Sequence, residues 1–167
     1  MATSTEIAIA SQTLASPASS ITFSAIPGTY TDLRLVLVTK MSANGGNGYL
    51  VRFNSNSSGI YSYTMMGSYG PTITISSNNN SASNLDTLGA VSASYPVNIN
   101  LDLFSYSSTS IYKTMLSQIA GDLVSGGSVE VSANMWRSAD AITSITITNN
   151  DGFTFSTGAI ATLYGIL

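Results

Sequence analysis

Apolar and polar residues alternate at every second position in segment after segment of this chain. A run with that period can bury its apolar side chains only as a pleated strand. Leu33, Leu35 and Leu37 lie on one side of such a run, with Arg34, Val36 and Val38 on the other. Val97, Ile99, Leu101 and Leu103 alternate with Asn98, Asn100 and Asp102. Val129, Val131, Ala133 and Met135 alternate with Glu130, Ser132 and Asn134, which puts Trp136 on the face opposite Met135. Ile145 and Ile147 are set between Ser and Thr. Only residues 111–123 fit helical spacing as well, and no long helix is expected.

Strands are expected near 6–14, 20–25, 31–40, 48–54, 60–66, 72–77, 86–92, 96–106, 111–119, 128–137, 142–148, 153–156 and 159–167. Turn chemistry separates them: Pro27-Gly28, then "NGGNG" at 44–48, "SGGS" at 125–128 and "NNDG" at 149–152, the last three read as hairpin turns. "SSNNNSASN" at 76–84 reads as a polar loop. Short strands at this spacing, with no fixed repeat, predict an all-β fold: a two-sheet antiparallel sandwich, jelly-roll-like. Residues 1–20, rich in Ser, Thr and Ala, read equally as an N-terminal arm to a neighbouring subunit or as an edge strand; 21–167 form one β-sandwich domain.

Composition narrows the function. Apolar residues make up 44% of the 167, but charged residues only 8%, against roughly 25% in typical soluble proteins. Ser, Thr and Asn carry the polar burden, and such a surface can lie against a partner with little ion desolvation. The net charge is −3, and the five cations, Arg34, Lys40, Arg52, Lys113 and Arg137, are scattered; no basic patch for nucleic acid is visible. No apolar run approaches the roughly 20 residues that span a bilayer as a helix. The N-terminus lacks the charged and apolar regions of a secretory signal, so assembly in a cytoplasm is expected.

Catalytic chemistry is sparse. The chain has no His and no Cys, which removes Ser-His-Asp and Cys-His nucleophiles and thiolate metal sites. Its acids are Glu6, Glu130 and six Asp (32, 86, 102, 122, 140 and 151), set mostly beside turns or strand ends. They suggest no catalytic pair, and Asp151-Gly152 lacks the spacing of an EF-hand. No enzyme activity, cofactor or metal is expected. Aromatic residues are left as recognition groups: Tyr61, Tyr63 and Tyr69 near Met65 and Met66, and Trp136. Each is open to three readings, as core, as subunit interface or as a sugar-stacking platform.

One set of short motifs spans nearly the whole chain. It comprises Phe23-x-x-Ile26-Pro27-x-x-Tyr30-x-x-Leu33, "YLVRFN" at 49–54, "IYSY" at 60–63 and Tyr112-Lys113-Thr114. Trp136-Arg137, Ala141 to Ile147, and the terminal Leu163-Tyr164-Gly165-Ile166 complete it. The set resembles a family of tailed-phage virion proteins, from which it departs in carrying Thr39-Lys40 where the family has a small residue and Arg. The resemblance implies a non-enzymatic structural protein of the virion. It would be a capsid decoration (cement) protein on the head surface, homotrimeric and bound to the major capsid protein. The alternative it implies is a tail-fibre or spike tip that binds a host surface glycan.

Overall fold

A computed structural model describes residues 5–45, 47–87, 89, 91–123 and 126–167. It contains twelve strands: β1 (Glu6–Thr13), β2 (Ser20–Phe23), β3 (Asp32–Thr39), β4 (Tyr49–Phe53), β5 (Tyr61–Tyr69), β6 (Thr72–Ala82), β7 (Leu85–Thr87), β8 (Val97–Phe104), β9 (Lys113–Leu123), β10 (Gly126–Trp136), β11 (Ile145–Asn149) and β12 (Ile160–Ile166). An eight-stranded antiparallel sheet runs β1-β12-β3-β8-β9-β10-β5-β6, and a four-stranded one runs β2-β11-β4-β7. Setting aside the β5-β6 and β9-β10 hairpins leaves four strands in each sheet, β1-β12-β3-β8 and β2-β11-β4-β7. Six of the seven successive connections among those eight strands cross between the sheets, and only β4 and β7 are neighbours in one sheet, which is the jelly-roll connectivity. The fold is therefore a two-sheet sandwich whose larger sheet is extended by two inserted hairpins.

The alternation decides which faces meet. Leu35 stands in register between Leu163 and Leu101, and Ile147 between Ile21 and Val51. All six are buried, as are Leu33, Leu37, Val97, Ile99, Leu103, Phe23, Phe53 and Ile145 beside them. β1 closes one edge of the large sheet by pairing with β12, with a bulge between Ala8 and Ala10.

Two predicted hairpin turns have other roles. The segments at 44–48 and 149–152 join strands of opposite sheets, as does Pro27-Gly28, because a jelly-roll connection crosses the sandwich. β9 and β10 pair as neighbours with Leu123 opposite Gly126, so residues 126–128 of the segment expected as a turn are already strand, and residue 125 lies outside the described residues, as does part of the strand expected at 86–92. The β5-β6 hairpin turns through Gly70-Pro71 between the paired Tyr69 and Thr72, with Gly70 at φ 55°, a left-handed conformation that glycine adopts without the cost a Cβ would add.

The loop expected at 76–84 is strand as far as Ala82. Main-chain pairing of Ser77 with Thr64 and Asn78 with Tyr63 carries β6 onward, and its polar side chains face water on an edge strand. No strand forms at 153–156, where Phe155 makes only isolated bridges to Ala18 and Met41. The ambiguous segment 111–123 is strand β9.

β10 turns its polar side inward. Ser128, Glu130, Ser132 and Asn134 are buried together with Trp136, whereas Val129, Val131 and Ala133 are exposed. Trp136 forces this choice. Its ring packs edge-on to Phe53 at 5.6 Å and stacks on Tyr61 at 6.2 Å, both in the core. With a side-chain period of two, seating the largest ring inside commits every second residue of the strand to the same face. Three of the buried polar groups bond one another, Ser117 to Ser132 through their hydroxyls and Asn134 donating to Ser132 Oγ at 2.7 Å, while Asn134 Oδ1 has no partner among the described residues.

Replacing Trp136 tests this anchor. Trp136→Ala should destabilise the fold by about 3–5 kcal/mol in chemical denaturation, as large core truncations do. Trp136→Phe should be clearly milder, because the Trp136 Nε1–H has no acceptor among the described residues and its removal leaves none of them unpaired. Equal losses in the two variants would contradict the packing described.

Candidate functional site

The four aromatic candidates do not form one platform. Tyr61 and Trp136 are fully buried, so neither reaches a partner's surface. Tyr61 Oη donates to Asn56 O at 2.9 Å and accepts from Phe53 N at 3.2 Å, which ties the start of β5 to the end of β4. Tyr63 is half-buried, opposite Asn134 on one side and Asn78 on the other. Tyr69 is exposed at the far end of β5, eight residues from Tyr61 and so roughly 26 Å away along the strand.

The motif residues are braces. Tyr30 places its ring against Gly165, where a Cβ would have no room, so the Ile-Pro-x-x-Tyr segment and the terminal Tyr-Gly-Ile interlock. Tyr106 Oη donates to Pro27 O and pins the β2-β3 crossing. Asn54, at φ 51°, accepts from Thr143 N at 2.8 Å and Ser144 N at 3.1 Å and donates to Ala141 O at 2.8 Å. It thereby joins the end of "YLVRFN" to the start of "AITSITI". Lys113 is buried and donates from Nζ to Ile111 O at 2.7 Å and Ala139 O at 3.1 Å. Burial lowers its pKa, with Asp140 opposing.

The acidic groups are dispersed into local contacts. Asp32 accepts from Ser105 N at 2.7 Å, Asp102 accepts from Arg34 Nε at 2.7 Å, and Asp151 accepts from Asn47. Glu6 lies 3.6 Å from the same Arg34. Among the described residues no three Asp or Glu side chains gather as a metal site would require.

Two surfaces can receive a partner. One is a cleft of about 340 Å³ at the tip of the inserted hairpins, lined by Gly67, Tyr69, Thr72, Thr74, Ser128 and Glu130. Gly67 makes room for the buried Glu130, whose Cγ would meet a Cβ there at 2.7 Å. The cleft offers hydroxyls, a carboxylate and one exposed phenol ring, a set suited to polar, hydroxylated ligands. The other is the outer face of the extension, where Met66, Ile73, Ile75, Leu116, Val129 and Val131 are all exposed. Sequence reading did not single out this face. The signal was present in the parity of β10, since Trp136 and Val131 fall on opposite faces and only one of those faces can be buried.

No family model and no curated protein matches this chain. Among solved structures, a protein of unknown function from Shewanella oneidensis MR-1 aligns at 11% identity with a TM-score of 0.25. The alignment covers 85% of this chain and 61% of that one, and a likeness of this size carries no argument about either fold or function.

Two outcomes check the braces and the buried phenols. Asn54→Ala should cost about 2 kcal/mol or more, since it strips three main-chain partners and leaves alanine in a left-handed conformation. Burial raises the pKa of Tyr49, Tyr61 and Tyr106 above 10.0, so these phenols stay neutral in the folded state while the unfolded chain ionises. Stability they contribute is fully present below pH 10 and is lost as pH rises beyond it. Tyr49→Phe should therefore flatten the alkaline decline in denaturation midpoint, by up to about 1.4 kcal/mol per pH unit. A decline unchanged by that substitution would show that Tyr49 titrates alike in both states.

Proposed function

We propose that this chain is a non-enzymatic structural component of a tailed-phage virion. In this reading it is a capsid decoration protein, homotrimeric, assembled in the host cytoplasm and seated on the head surface over the lattice of major capsid protein. Jelly rolls serve in viral capsids and in lectins alike, so the fold favours a binding role without choosing the partner. The observation that carries the choice is the broad, apolar and nearly uncharged outer face of the inserted hairpins. A sheet surface of that kind suits contact between protomers, and an oligomer so assembled gains in effective concentration when its remaining weak contacts repeat over a lattice. The chain's lack of His and Cys and its dispersed carboxylates fit a part that binds and does not turn over substrate.

The tip cleft, with Tyr69 exposed and Glu130 inside, favours a second reading: a tail-fibre or spike tip that holds a host glycan. One comparison separates the two. Purified protein is added to expanded capsids stripped of it and, separately, to host cells. Saturable binding to capsids, unaffected by chelator and accompanied by greater resistance of the heads to heat, is expected. Binding to cells with none to capsids would move the protein from head to tail.

A further inference from the structure

We infer that the uncharged outer face of β9, β10, β5 and β6 is where copies of this chain associate with one another. The inference rests on the homo-oligomer proposed above and names its contact surface. Cross-strand pairing makes the apolar residues one patch. Ile75 stands opposite Met66 and Met66 opposite Val131, while Ser68 links Ile73 to Val129 in the neighbouring row. Ala133, one row further, pairs with Leu116. Ile73 is 74% exposed, Ile75 72% and Val129 62%, values at odds with the burial such side chains ordinarily reach.

The patch presents on the order of 600 Å² of apolar surface, the upper end of what a monomer leaves in water. A stable interface takes about 800 Å² from each partner, so this face and its rim suffice for one.

The chemistry of the face selects the occupant. β5 and β6 contain no charged residue, and of the charges on β9 and β10, Lys113 and Glu130 point inward. Asp122, at the hairpin tip, is left as the charge on the outer side. Such a face offers nothing for a basic or acidic partner to match, whereas three copies packed about a common axis, each laying one part of the patch against a different part of its neighbour's, meet without like-charge repulsion. The same sheet changes character across its width. Over the jelly-roll half its outer side carries Glu6, Arg34 and Asp102 in one ion-paired cluster, a surface built to stay in water.

The two edges differ in the same sense. Both edge strands are irregular, β1 between Ala8 and Ala10 and β6 opposite Tyr61 and Tyr63, but β1 adds the Glu6–Arg34 contact, a charge that discourages strand addition. β6 runs eleven residues with neither charge nor proline, and an edge of that kind demands a cover.

The test compares the wild-type chain with Ile75→Lys and Val131→Lys, singly and together, and with Ile160→Lys as a control on the jelly-roll half of the same sheet. Sedimentation velocity is run across micromolar concentrations. All three positions are exposed, so the β-type circular dichroism should be retained. The wild type and Ile160→Lys should sediment as the oligomer, and the double variant as a folded monomer, with association weakened at least tenfold. A double variant that stays oligomeric would overturn the inference and leave the homo-oligomer proposal standing, because the contact would then lie elsewhere. One that stays oligomeric but no longer binds stripped capsids would assign the face to the lattice instead. A wild-type chain that is monomeric throughout would sink the homo-oligomer proposal itself, and this inference with it.

Discussion

The packing of two apolar sheet faces against each other is the interaction on which everything else here depends. Leu35 between Leu163 and Leu101 on one side, and Ile147 between Ile21 and Val51 on the other, are the centres of those faces. Because all but the β4-to-β7 connection of the jelly roll cross from one sheet to the other, consecutive strands mostly face each other across the sandwich and must turn matching apolar sides inward. A slip of one residue in any of them would send its leucines or isoleucines to water. Buried hydrophobic area of this extent is the dominant favourable term in a domain of this size.

The inserted hairpins obey a different constraint. They extend one sheet by four strands whose inner side is nevertheless covered: Met65, Met115 and Ile119 are buried there together with the polar residues of β10. Trp136 and Tyr61 anchor their base in the core, and further out the inner face is lined by Ser117, Ser132 and Asn134, which bond to one another. On β10 the apolar side of the alternation is thereby turned outward. That exchange of faces is the physical origin of the exposed patch, and it links a packing requirement at one tryptophan to the surface proposed for assembly.

The motif set that resembles phage virion proteins acquires a physical meaning in this fold. Tyr30 against Gly165, Asn54 bridging to Ala141 and Thr143, and Lys113 reaching Ala139 join segments far apart in the chain. These residues hold crossings and strand ends in place, and they lie away from both the tip cleft and the outer patch. A resemblance built from braces speaks first to architecture. The functional proposal accordingly leans on the surfaces that the architecture exposes.

Strand content, the jelly-roll-like sandwich and the inner faces of β3, β8 and β11 were all legible in the sequence, because a two-residue period in apolar side chains is a local property that survives in any sandwich. The strand nature of residues 76–82 was not legible, since it comes from main-chain pairing with β5 and owes nothing to the side chains. Nor could the local pattern show that 44–48 and 149–152 cross between sheets, because a turn's residues are the same whether the next strand pairs with the last or faces it. The face of β10 was decided only in three dimensions. Its alternation permits either side to be buried, and the choice fell to Trp136, whose ring had to meet Phe53 from one strand and Tyr61 from another, contacts that exist only once the sheets have closed.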